Sequence, residues 1–139
     1  MSNYPEEMVA PMRAELSEVG FSHLYSPKEV DEVLNRPGLT LLMINSVCGC
    51  AAAGARPGVR EALRRGLHFD NLVTVFAGME KEATAHARDY FEGAAPSSPQ
   101  VALLKDGHLQ TLLQRQAFLD RSPEQIADEL ESAFRKVVG

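Results

Sequence analysis

The run Leu39-Thr40-Leu41-Leu42-Met43-Ile44-Asn45 carries no charge, and its large apolar residues do not alternate with polar ones. A strand with one wet face would alternate, so this pattern predicts a central strand covered on both faces. Two layers of helices around a sheet supply both covers. The rest of the chain holds suitable helices. Val9, Met12, Leu16 and Val19 share one face of a helix predicted over Pro5–Val19, which Gly20 can stop. Phe21–Tyr25 reads as a short edge strand. Ser26-Pro27-Lys28-Glu29 then opens a second helix, with Ser26 as cap, Pro27 in the first turn and Glu29 completing a capping box. Arg36-Pro37-Gly38 ends it.

Beyond the central strand, an alanine-rich helix is predicted from Ala51 to about Arg65, bent at Pro57. Asn71–Phe76 is a further strand, and Glu80–Phe91 a helix with Ala83, Ala87, Tyr90 and Phe91 inward. Residues 93–99 form a Gly/Pro/Ser loop before a strand at Val101–Leu104. Asp106-Gly107 is a two-residue hairpin signal, and His108–Leu113 is the returning strand. Ser122-Pro123-Glu124-Gln125 is a second capping box, opening a last helix with Ile126, Leu130, Phe134 and Val137 as its buried stripe. After an extra first helix, a βαβ unit and a ββα unit are joined by a helix, which is the thioredoxin order. The expectation is an α/β, thioredoxin-like three-layer fold: a central mixed sheet flanked by helices, with an extra N-terminal helix. A chain of 139 residues fits a single domain over residues 1–139.

Between the central strand and its helix stand the chain's only two cysteines, in Cys48-Gly49-Cys50. A thiol just before a helix meets unpaired N–H groups and the positive end of the helix dipole. Both favour thiolate, the reactive form. Composition excludes other classes. The net charge is −5, the basic residues are scattered, with Arg64-Arg65 the only adjacent arginine pair, and tryptophan is absent, so no nucleic-acid surface is expected. No apolar run approaches the ~18 residues of a membrane helix. Glu6 and Glu7 stand where a secretory signal would carry lysine or arginine, and no apolar segment follows, so the expected location is the cytoplasm. In such a reducing compartment a cysteine pair is more often catalytic or metal-binding than structural.

Asn45-Ser46-Val47-Cys48-Gly49-Cys50-Ala51-Ala52, with Ala55-Arg56-Pro57 downstream, resembles the active-site stretch of the bacilliredoxin family. Glu80-Lys81-Glu82-Ala83-Thr84, Tyr90-Phe91-Glu92-Gly93, Pro96-Ser97-Ser98-Pro99 and Leu104-Lys105-Asp106-Gly107 resemble it too. Arg115-Gln116-Ala117-Phe118-Leu119-Asp120 departs from the family's usual Arg-His pair and Ile-Glu-Gly segment. The resemblance implies a thioredoxin-like cytoplasmic protein that removes bacillithiol from protein mixed disulfides, with weak disulfide isomerase or reductase activity. By the same resemblance Cys48 attacks the mixed disulfide and Cys50 resolves it. The expected partners are S-thiolated or disulfide-bonded proteins and a low-molecular-weight thiol as co-substrate. No metal or organic cofactor is expected, and the extra helix offers a homodimer interface.

Each candidate also has a plainer reading. The two cysteines can be small buried hydrophobes or half of a zinc site. Zinc would need two more ligands, and His23, His68, His86 and His108 lie one per element without ligand-like spacing. Gly49 keeps the loop small; a Cys-Gly-Cys ring is one residue shorter than CxxC, which points to strain and a more oxidising couple. Pro99, placed where thioredoxins carry a cis-proline, would leave the backbone at Ser98 free to pair with an extended substrate. Asn45 and Ser46 either hydrogen-bond near the thiols or simply end the strand. Arg56 can act on Cys48 electrostatically, but two turns along the helix it is expected to face solvent.

Overall fold

The computed structural model describes residues 2–139. Five helices and five strands alternate: α1 Glu6–Ser17, β1 Ser22–His23, α2 Pro27–Leu34, β2 Leu39–Asn45, α3 Arg56–Arg64, β3 Asn71–Phe76, α4 Lys81–Arg88, β4 Gln100–Lys105, β5 His108–Leu113 and α5 Pro123–Val138. The sheet order is β1-β3-β2-β4-β5. The first three strands are parallel, β4 pairs antiparallel with β2, and β5 pairs antiparallel with β4. All seven residues of β2 are buried, as the unalternating pattern requires.

The two faces of β2 enter two separate cores. Leu39, Leu41 and Met43 pack with Leu16 of α1, Val59 and Ala62 of α3, and Ile126 and Leu130 of α5. Leu42 and Ile44 pack with Val30, Val33 and Leu34 of α2 and Ala83 and Ala87 of α4. The result is the expected three-layer, thioredoxin-like sandwich, with α1 as the added element. Val9 of α1 packs against Phe76 and Met79, so the apolar face expected to offer a dimer interface covers the chain's own core.

Local chemistry explains most boundaries. Ser122 and Gln125 form a full capping box on α5. On α2 the box is altered: Ser26 Oγ accepts the Glu29 N–H, but the Glu29 carboxylate accepts the N–H of Tyr25, one residue earlier than expected. Asp106 and Gly107 both have positive φ, 51° and 83°, the conformation of a tight hairpin whose twist suits its strands. Asp106 tolerates it because a short polar side chain is the least penalised there.

Pro57 acts differently from the predicted bend. Residues Ala51–Ala55 form a π-helical turn, closed by the Arg56 N–H on Ala51 O, and an α-helix resumes with Pro57 in its first turn. Proline lacks the N–H that a continuous α-helix would need and crowds the preceding turn, so the backbone widens just upstream instead of kinking.

Candidate active site

The site sits where β2 ends. The register Ile44↔Gln100 between β2 and β4 brings Pro99 beside Asn45, at the mouth of the Cys48-Gly49-Cys50 loop. The Ser98–Pro99 peptide bond is cis. Pro99 is buried and Ser98 half-buried.

Helical backbone begins at Gly49, two residues earlier than expected, which makes Cys48 the N-cap residue. Its carbonyl accepts the N–H groups of Ala51 and Ala52 at 3.0 and 3.2 Å. Its Sγ accepts the Cys50 N–H at 3.4 Å, the bond that a capping serine or aspartate oxygen would take. Both cysteines are free and half-buried, and Cys50 packs against the core formed with α3 and α5.

This geometry separates the two thiols. Burial pushes the Cys48 thiol up, but hydrogen bonds from the Cys50 thiol and N–H, the Arg115 charge and the Ala51 N–H together hold it below its ordinary value. Burial and the neighbouring Cys48 thiolate push Cys50 up, against hydrogen bonding and charge from Arg115. The order agrees with that expected from the two positions on the helix. A Cβ on Gly49 would meet nothing within 4 Å apart from its chain neighbours, so the space over that position is open.

Asn45, Ser46 and Arg56 form one buried brace beneath the loop. Ser46 Oγ accepts the Cys48 N–H at 2.9 Å, and Asn45 Oδ1 accepts the Ser46 N–H at 2.8 Å. Arg56 Nη1 donates to Asn45 Oδ1 at 2.9 Å and to Ser46 O at 2.8 Å. Its Nε lies 3.2 Å from Glu15 of α1, close enough for ion pairing but off the hydrogen-bond axis. Asn45 Nδ2 donates to Met12 O of the same helix. The expectation that Arg56 faces solvent is therefore corrected: it is 1 % exposed. The π-helical turn sets its azimuth, rotating Arg56 toward the strand end in a way that regular helical spacing does not show.

A second network, absent from the sequence reading, holds the cis-proline loop. Gln114 Oε1 accepts from Ser97 Oγ and Gln100 Nε2, and Gln114 Nε2 donates to Ala95 O. Arg88 donates to Gln100 Oε1 and to Ser97 O. The Arg115 N–H reaches Ser97 Oγ at 3.2 Å, fixing the start of a short 3-10 turn, Arg115–Phe118. Arg115 lies in the segment that departs from the family pattern, and a register count back from Asp106-Gly107 is the signal that finds it opposite the loop. His23, His68, His86 and His108 take no part, and among the described residues no three His, Cys, Asp or Glu side chains gather as metal ligands.

A thiol at a helix entrance, a second thiol beside it and a proline loop alongside are an arrangement that can support dithiol–disulfide exchange. Comparison with known proteins agrees. The disulphide isomerase family model matches residues 4–138. The chain is 47 % identical over 131 residues to a bacilliredoxin of Halalkalibacterium halodurans, covering 94 % of this chain and 90 % of the relative. It is 46 % identical to a bacilliredoxin of Cytophaga hutchinsonii, covering 94 % and 97 %, and 48 % identical to one of Geobacillus kaustophilus, covering 92 % and 88 %. Among solved structures, Fasciola hepatica thioredoxin superposes with a TM-score of 0.58 at 15 % identity, covering 84 % of this chain and 98 % of its own. Oxidised thioredoxin O2 of Arabidopsis thaliana gives 0.56 at 14 %, covering 88 % and 97 %. At such identities the likeness speaks for the fold alone. Sequence kinship, fold and site converge: the chain belongs to the bacilliredoxin family and is a thiol–disulfide oxidoreductase of thioredoxin-like fold.

Proposed function

We propose that the protein removes a low-molecular-weight thiol from mixed disulfides on proteins, with Cys48 as nucleophile and Cys50 as resolving thiol. The observation that carries this is Cys48 Sγ capping its own helix through the Cys50 N–H, with the second sulfur two residues along. The lowered thiol is the one at the helix entrance, where a substrate sulfur can approach over Gly49.

In the first step Cys48 thiolate attacks the sulfur of the small thiol. The protein–thiol S–S bond breaks, a Cys48–thiol disulfide forms, and the target's cysteine leaves as thiolate and takes a proton from solvent. Cys50 then loses its proton and attacks Cys48 Sγ. The small thiol leaves, and a Cys48–Cys50 disulfide remains, to be reduced by two electrons from an external dithiol. Burial and the Cys48 thiolate both raise Cys50, and the first transfer removes the second of these causes. Pro99, Ser98 and Gly49 line the approach, and Asn45, Ser46 and Arg56 hold the loop. Protein substrates in a reducing cytoplasm fit this cycle, since its resting state is the free dithiol.

Mass spectrometry of two variants tests the assignment. Cys48→Ser is expected to abolish release of the small thiol. Cys50→Ser is expected to perform the first transfer once and accumulate the thiol's mass on Cys48. Full activity of Cys48→Ser sinks the assignment. Disulfide isomerisation is a second reading, favoured by the name of the matching family model. It predicts that reactivation of a scrambled disulfide protein needs Cys48 but survives loss of Cys50. A metal-holding role for the pair lacks further ligands among the described residues.

A further inference from the structure

We propose that the mouth of the loop recognises a carboxylate on the departing small thiol, with Arg115 as its direct ligand and Arg88 as a second cation behind the cis-proline loop. This rests on the thiol-transfer reading above.

The exposed Arg36 apart, the two arginines are unlike their counterparts. Arg13, Arg60, Arg65 and Arg121 each sit on a carboxylate of this chain. Arg88 instead spends its N–H groups on two neutral oxygens, Gln100 Oε1 at 2.9 Å and Ser97 O at 2.7 Å. It is half-buried, and burial with no counter-charge holds it below the ordinary arginine value. Arg115 is exposed at the opposite side of the same loop, its N–H tied to Ser97 Oγ at 3.2 Å and its charge acting on both thiols. Neither has an acidic partner among the described residues. A guanidinium offers five N–H donors, and no side-chain hydrogen bond of Arg115 engages them among the described residues.

Bracing the loop needs donors but no charge. A half-buried cation without an anion is costly, and a neutral amide would serve the same oxygens. In a chain of net charge −5, one uncompensated arginine acting on the sulfurs and a second behind the cis-proline loop concentrate positive potential where the substrate enters. After the first transfer the small thiol is bonded to Cys48, within the field of the Arg115 charge, and a carboxylate two or three carbons from its sulfur is the group this arginine would take. An arginine fork matches a carboxylate with two parallel bonds.

The test uses one reporter protein with a single cysteine, loaded with either 3-mercaptopropionate or its uncharged amide. The two adducts share the same disulfide and differ by one charge. The kcat/KM ratio of acid to amide is read, so any change in thiolate fraction cancels. The wild type is expected to favour the acid by about fivefold, in the range of one partly exposed ion pair. Arg115→Gln is expected to bring the ratio to about one, Arg115→Lys to keep part of it, and added salt to erode it. A wild-type ratio near one, or an unchanged ratio in Arg115→Gln, overturns the proposal. A second pair of reporters carries the amide adduct with glutamates or glutamines flanking the cysteine. Preference confined to that pair assigns the carboxylate to the target protein and overturns the small-thiol assignment. Removal of neither adduct overturns the transfer reading itself.

Discussion

Replacing Arg56 by methionine separates the loop from its brace while filling most of the same volume. The side chain is 2 % exposed, and its two bonds run to Asn45 Oδ1 and Ser46 O. Bonds of this charge-assisted kind contribute about 1.5–3 kcal/mol each. Two effects reduce the sum. Asn45 Oδ1 keeps the Ser46 N–H, so only the Ser46 carbonyl is stranded. Methionine also relieves the cost of burying a guanidinium, while Glu15, with a side chain 38 % exposed, rehydrates cheaply. The expected net loss is about 3 kcal/mol, or about 10 °C in Tm for a chain of this size. Reduced protein in urea, followed by circular dichroism, gives the loss directly. Alkylation of Cys48 at fixed pH should slow in parallel, because the Ser46 Oγ bond to the Cys48 N–H loses its anchor. Arg56→Lys keeps the charge but not the fork, so about half the loss should remain. A loss under about 1 kcal/mol with unchanged alkylation would refute the claim that this arginine holds the loop.

The thiols should titrate in the order Cys48 before Cys50, read by ultraviolet thiolate absorbance in the two single-cysteine variants; the reverse order breaks the role assignment. Because the folded Cys48 lies below its ordinary value of 9.0, the reduced fold gains stability as pH rises through the folded value and loses it as pH falls back. Urea midpoints on either side of neutrality check the sign. Arg115→Gln should move both thiols upward, shifting the alkylation profile of each to higher pH; a profile that stays in place removes Arg115 from the site. Gly58→Ala should destabilise by about 1–2 kcal/mol despite better helix propensity. The new methyl would stand 2.6 Å from Ile126 Cγ2 and 2.8 Å from its Cβ, and a β-branched neighbour cannot swing away. A stabilised variant would contradict the close α3–α5 contact.

Much of the fold was legible because its signals are local. β2, β3 and β5 fall on the residues whose patterning predicted them, and the Asp106-Gly107 turn lies where its dipeptide placed it. Cys48 could be read for the same reason: strand, thiol and helix follow one another along the chain. Arg56 could not, since its direction depends on a π-helical turn that Pro57 imposes after the cysteines. Arg88, Gln100 and Gln114 were missed because each is an ordinary polar residue until three separate elements meet at Ser97. Arg115 was within reach of register arithmetic. The obstacle was the unpaired Gln110, which shifts the β4–β5 pairing by one between Leu103 and Leu104.

The ties from α1 to the loop make the two regions one cooperative unit. Met12 O holds Asn45, Glu15 faces Arg56, and Arg13 clasps Glu80, whose carboxylate also accepts the Phe76 N–H at the neighbouring strand end. Undocking that helix would strip the buried Arg56 of its carboxylate and the Asn45 amide of its acceptor, so its opening weakens the brace under the loop. Hydrogen exchange at the Ser46 and Cys48 amides should then report the breathing of a helix more than thirty residues upstream, the separation of the Met12–Asn45 bond being 33. Reactivity at the sulfur is in this sense metered by a helix that lends the loop no cysteine of its own.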